Sequence, residues 1–174
     1  MLFGAHAFIW AGEWTPEGAE KVIGGAAEAG LDFVEIPLLR PESMDVTATR
    51  ALLDRYGIGC TCSLGLPKAA HLPSAPEKAE LFLESAVDVA AGLEAPVLCG
   101  VLYAHLGTLT GRPPEEGELK AVARVLKYVA VRCRKRSFAG RGGSEPLRDL
   151  LDKPCRASLR HAGPSRGAQR LRTP

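Results

Sequence analysis

The feature that most constrains the fold is a strand-like apolar run followed by an amphipathic stretch, repeated four times within the first 130 of 174 residues. Residues 2–8 predict a strand. Thr15, Pro16 and Glu17 then supply an N-cap, a residue with helical φ already set, and an acidic first turn. Ala19, Val22, Ile23, Ala26 and Ala27 recur three and four apart as one apolar stripe, and Gly30 stands where that helix should stop. Residues 31–36 predict the second strand, and Asp45 caps a helix that carries Leu52, Leu53 and Tyr56 and ends at Gly57. Residues 58–64 predict the third strand, after which Pro76 opens a helix with Ala79, Phe82, Leu83, Ala86 and Ala90 on one face, closing near Gly92. Residues 96–102 predict the fourth. A loop with Gly107, Gly111, Pro113 and Pro114 leads to a last helix with Leu119, Val122, Ala123, Leu126 and Ala130 at helical spacing.

Alternating strands and helices, with nearly continuous apolar strands, imply an α/β chain with a parallel sheet and right-handed crossovers. Neither a G-x-G-x-x-G after the first strand nor a G-x-x-x-x-G-K-[ST] occurs, so the phosphate-cradling signatures of doubly wound sheets are missing and a βα barrel is favoured. Such barrels take roughly 250 residues, so four units make half of one.

Composition sets the remaining bounds. With 46% hydrophobic and 24% charged residues the chain falls among ordinary globular proteins, not collagen-like, wholly disordered or membrane-bundle chains. Residues 1–10 lack the basic start and long apolar run of a signal peptide, which leads us to expect a cytoplasmic protein without a membrane partner. Cys60, Cys62, Cys99, Cys133 and Cys155 form an odd set with no C-x-x-C pair, which suggests neither a disulfide framework nor a zinc knuckle, and Cys60 and Cys62, alternating along a predicted strand, are expected as buried thiols. The net charge of +2 conceals a split: residues 1–130 carry 10 basic and 17 acidic side chains, residues 131–174 carry 12 and 3. The chain therefore divides into a patterned half-barrel, 1–130, and an irregular basic tail, 131–174.

In parallel α/β folds the chemistry lies just beyond the C-terminal ends of the strands. His6, Phe8, Trp10, Glu13 and Trp14 follow the first strand, Glu35 the second, Ser63 and Gly65 the third, and Gly100, Val101 and Tyr103 the fourth. Trp14 offers a flat wall for a sugar ring or carbon chain, although packing is its commoner use. Glu35 is a carboxylate closing an apolar strand and needs a polar partner. His71, His105 and His161 have no i, i+4 pairing or acidic neighbours that would make a metal site and are read as solvated. Glu115, Glu116 and Glu118 fit the acidic start of the last helix.

Four ordered segments, Gly4 to Trp14 (G-A-H-A-F-I-W-A-G-E-W), Asp32 to Leu38 (D-F-V-E-I-P-L), Cys62 to Leu66 (C-S-L-G-L) and Ala95 to Tyr103 (A-P-V-L-C-G-V-L-Y), resemble the D-tagatose 3-epimerase family of sugar isomerases and epimerases. The resemblance implies the N-terminal half of a xylose isomerase-like TIM barrel and, for the complete family, a ketose epimerase or isomerase acting on a small sugar. It implies a divalent metal, often manganese, polarising the sugar oxygens, and two glutamates that remove and return a proton through an enediolate. It places His6, Trp14, Ser63 and Val101 along the substrate site, and Glu35 joins them on the strand-end argument. His6 and Ser63 depart from the aromatic residue and the Cys of some members, which leaves the sugar open. The metal ligands and both catalytic glutamates belong to strands five to eight, so no catalytic or metal residue is assigned to this chain and an inactive half is expected. A half-barrel with open edges is also expected to self-associate or to be poorly soluble.

After Ala130 the apolar period stops in V-R-C-R-K-R-S-F-A-G-R-G-G-S. A disordered extension is one reading, and a tail holding nucleic acid or a protein partner through Arg134 to Arg136 and the Arg-Gly-Gly at 141–143 is another. A third is a one-base frameshift near codon 131. Shifted forward, the codons of residues 142–154 can encode E-A-V-N-R-Y-E-T-Y-L-I-N-P and those of 166–174 can encode G-A-P-N-V-Y-V-H-L, both similar to family sequence and in its order.

Overall fold

Thr15 opens the first helix as its place in the sequence demands: it sits in extended backbone and its Oγ1 accepts the Gly18 N–H at 3.0 Å. The computed structural model describes residues 1–108 and 110–137, and these alternate strand and helix throughout. The order is β1 (Gly4–His6), α1 (Pro16–Glu28), β2 (Phe33–Pro37), α2 (Val46–Tyr56), β3 (Gly59–Leu66), α3 (Pro76–Gly92), β4 (Leu98–His105) and α4 (Glu116–Ser137), with short 3-10 turns at Ala7–Ile9, Pro41–Ser43 and Lys68–Ala70. Asp45 caps α2 by accepting the Ala48 N–H at 2.9 Å. Gly57, at φ +67°, closes α2 in the left-handed conformation.

The four strands form one parallel sheet in the order β1-β2-β3-β4. Register pairs His6 with Glu35, Glu35 with Thr61, Pro37 with Ser63, Ser63 with Cys99, and Gly65 with Val101. Burial along β3 alternates strictly: Cys60, Cys62, Leu64 and Leu66 are buried, while Thr61, Ser63 and Gly65 are only half-buried. The buried face, continued by Val34 and Ile36 of β2, packs against Val22, Ile23 and Ala26 of α1, Leu53 of α2, Leu83 and Ala86 of α3 and Val125 of α4. Helices thus cover one face only, and the other is the inner surface of a half-barrel. This is the N-terminal half of a xylose isomerase-like TIM barrel.

Three elements differ from the sequence expectation. β1 stops at His6 because the His6 ring accepts the Phe8 N–H and turns residues 7–9 out of the strand. β4 runs on to His105 through an irregularity that sets Gly65 opposite Val101 but Leu66 opposite His105. Helix α4 does not stop after Ala130 but continues to Ser137. Its packed stripe is also rotated from the one expected: Val125 and Val129 are buried, with Ala121, Val122, Leu126 and Cys133 beside them, whereas Leu119 and Ala123 are exposed.

The cause of that rotation is a polar ladder against α3. Arg124 meets Glu80 at 3.0 Å, Tyr128 donates to Glu84 at 2.5 Å, Arg132 meets Asp88 at 2.8 Å, and Arg136 reaches Asp88 at 3.1 Å. Residues 124, 128, 132 and 136 lie four apart, so one side of α4 faces one acidic side of α3. Two of the tail's basic residues, Arg132 and Arg136, are therefore part of the fold. Arg134 and Lys135 are exposed on the same helix, and residues 138–174, with Cys155, His161 and the Arg-Gly-Gly at 141–143, lie outside the described residues.

Candidate functional site

The uncovered sheet face carries four of the five residues expected to line a site. In a parallel sheet, residues in register point to the same face, so His6, Glu35 and Thr61 form one row, Ser63 and Cys99 the next, and Gly65 and Val101 the row beyond. All seven are half-buried.

His6 and Glu35 are brought together, with Nε2 3.7 Å from Glu35 Oε1. The imidazole is held from its other side: Nδ1 accepts the Phe8 N–H at 3.2 Å, and the Phe8 ring lies 4.5 Å from it, tilted by 58°. A nitrogen that accepts carries no proton, so the hydrogen of the neutral ring is on Nε2, facing the Glu35 carboxylate. Cys99 senses the same carboxylate: burial first, and the Glu35 charge second, push its thiol above the ordinary range. Cys62, on the helix-facing side, is also pushed up, by its hydrogen bond with Cys60 and by burial, as expected of a buried structural thiol.

Trp14 is placed differently. Its Nε1 donates to Thr49 Oγ1 at 3.3 Å, and Thr49, 3% exposed, also contacts Met44 Sδ at 3.7 Å. The indole is thereby tied to the first turns of α2, at the same end of the sheet, and is half-buried against the core.

The assignment of His71 and His105 as solvated loop residues is corrected. The His105 N–H donates to His71 Nδ1 at 3.0 Å, and His105 Nδ1 lies 2.9 Å from Thr108 Oγ1, so the pair ties the β3–α3 loop to the end of β4. Sequence spacing of 34 residues gave no sign of it. Cys99 was missed as a site neighbour for a similar reason, since only the register with Ser63 brings it there. Glu115, Glu116 and Glu118 do open α4: the Glu118 carboxylate accepts the Glu115 N–H at 2.8 Å.

Among the described residues no group of three or more His, Cys, Asp or Glu is placed to hold a metal ion, and His6 with Glu35 makes a pair only. These residues do not by themselves fit the divalent metal that the resemblance implies. No helix of the described residues is long and apolar enough to cross a membrane.

No protein-family model matches the chain. Among curated proteins it is 39% identical over 137 residues to an L-ribulose 3-epimerase of Methylomonas sp. (strain DH-1), covering 75% of this chain and 48% of that one. It is 37% identical over 110 residues to a ketose 3-epimerase of Arthrobacter globiformis, covering 61% and 38%. Among solved structures, a D-allulose 3-epimerase from Methylomonas sp. in complex with D-allulose superposes with a TM-score of 0.74 at 34% identity, covering 78% of this chain and 48% of that chain. The chain thus spans about half the length, or less, of the curated relatives it matches. Its homologues are ketose 3-epimerases, and its described residues fold as the corresponding N-terminal half of their xylose isomerase-like barrel.

Proposed function

We propose that this chain is the sugar-facing half of a ketose 3-epimerase, in which His6, Trp14, Glu35, Ser63 and Val101 line the substrate while the metal ligands and the two proton-transferring glutamates lie outside it. The observation that carries this reading is the His6–Glu35 pair, 3.7 Å apart and in register across β1 and β2 on the uncovered face. Around it stand a hydroxyl (Ser63), an apolar side chain (Val101) and, tied to α2, an indole (Trp14), a combination suited to a small polyol with an apolar carbon edge. In the complete enzyme a divalent metal such as manganese, held by residues outside this chain, would polarise the sugar oxygens. This half contributes orientation: the Nε2–H of His6 donates, the Glu35 carboxylate accepts, and the sheet face shields one side of the sugar from water.

The test is a D-allulose titration of the 174-residue chain followed by amide NMR, with an epimerisation assay on the same sample plus manganese. Saturable shifts at His6, Glu35 and Ser63 without formation of the 3-epimer are expected. A flat titration with the fold intact would overturn the sugar-facing role, and turnover by the chain alone would overturn the placing of the acid–base groups elsewhere. The frameshift reading has its own test, resequencing of the locus across codons 120–180. A one-base correction that reopens a frame of roughly barrel length supports it, and an unchanged frame overturns it.

A further inference from the structure

We infer that His6 and Glu35 act as a single clamp that reads one sugar hydroxyl as donor and acceptor at once. The inference rests on the sugar-facing role proposed above and goes on to name the contact that discriminates substrates. His6 cannot accept from the ligand through Nδ1, because that nitrogen already takes the Phe8 N–H at 3.2 Å. Its free edge is therefore a donor only, Nε2–H. Glu35, ionised, is an acceptor only. The two polar atoms are 3.7 Å apart, too far for a hydrogen bond to each other. One hydroxyl oxygen placed about 2.8 Å from both fits that gap, accepting from Nε2–H and donating its own proton to the carboxylate.

The gap is reachable, since the His6 and Glu35 side chains are 36% and 35% exposed. It is also rigid: the pair is in direct register across β1 and β2, and Phe8 packs on the ring. A carbonyl oxygen could satisfy His6 but not Glu35, and an ammonium could satisfy Glu35 but not His6. Only a group that both donates and accepts completes the pair, so the clamp prefers a hydroxyl to a deoxy carbon at that position, which would crowd the pair without replacing the hydrogen bonds that water makes there.

Two measurements test the clamp. Long-range 1H–15N NMR of the ligand-free chain should show His6 with Nδ1 bare and Nε2 protonated; the opposite tautomer overturns the clamp whatever the sugar does. D-allulose affinities of wild type, His6→Phe, Glu35→Leu and the double variant then form a cycle, with circular dichroism confirming the fold of each. Each single change should weaken binding about tenfold. The double variant should lose little more than the worse single, because one hydroxyl serves both residues. Additive losses would show two separate contacts and overturn the clamp while the sugar-facing role stands. Binding unaffected by either change would likewise overturn the clamp alone, whereas no binding of D-allulose by wild type would overturn both.

Discussion

Gly57 and Gly100 both have positive φ, yet the structure gives them different importance. Gly57, at φ +67°, has nothing within 4 Å of where a Cβ would stand, so Gly57→Ala should cost only the left-handed penalty of about 1 kcal/mol. Gly100, at φ +113°, would place a Cβ 2.0 Å from the Leu64 carbonyl oxygen, so Gly100→Ala must also push β4 away from β3. A loss of about 3 kcal/mol is expected. Urea unfolding of the two variants checks the contrast; equal costs would contradict it. Glu35 offers a second comparison. Its negative charge opposes thiolate formation at Cys99, so Glu35→Gln should lower the Cys99 pKa toward that of an ordinary thiol. The midpoint of Cys99 alkylation against pH, followed on its own peptide, should move to lower pH, and an unmoved midpoint would show that the charge does not reach the thiol.

At the scale of elements, the helix layer is joined by polar links laid over an apolar seam. Between α1 and α2, the Tyr56 hydroxyl donates to Glu20 at 2.6 Å, with Arg55 paired to the same carboxylate. The Tyr56 hydrogen bond first, and then Arg55, hold the Glu20 carboxyl below its ordinary range. A depressed folded-state pKa stabilises above the unfolded carboxylate pKa, and this contribution is lost as pH falls through the depressed value. Tyr56→Phe should raise the Glu20 pKa, seen by carboxyl NMR, and shrink the share of stability lost on acidification, because the folded and unfolded values then lie closer together. Between α3 and α4 the ladder is part-buried at Arg132 and exposed at Arg124 and Arg136, so its outer rungs should weaken as salt rises. The seam beneath it is worth more. Leu83 is 1% exposed, and Leu83→Ala should cost about 2–5 kcal/mol at any ionic strength, whereas the loss on Arg124→Ala, whose pair with Glu80 is exposed, should shrink with added salt. Thermal melts of both variants at low and high salt separate these contributions.

The described residues form a four-stranded sheet with helices on one face, and among them the edge strands are β1 and β4. Leu2, Phe3, Phe8, Ile9, Tyr103 and Leu106 are exposed along or beside those edges. Unpaired parallel edges flanked by apolar side chains favour association of two copies, β4 of one beside β1 of the other. Sedimentation velocity should show mass rising with concentration, and a monodisperse, cooperatively melting monomer would contradict it.

Much of this was legible in the chain itself. The order of strands and helices and the caps at Thr15 and Asp45 depend on spacing and on interactions within a few residues, which are local properties of the sequence. Glu35 could be nominated because parallel sheets place chemistry toward their strand ends, and His6, Ser63 and Val101 because the family resemblance places them along the substrate. What decided their arrangement is non-local. Only the register of β1 on β2 sets His6 against Glu35, and only the ring's hydrogen bond to Phe8 leaves it a donor. The tie from His71 to His105 and the reach of α4 to Ser137 arise in the same way, from partners 34 and 44 residues away whose polar groups had to be matched in the folded state.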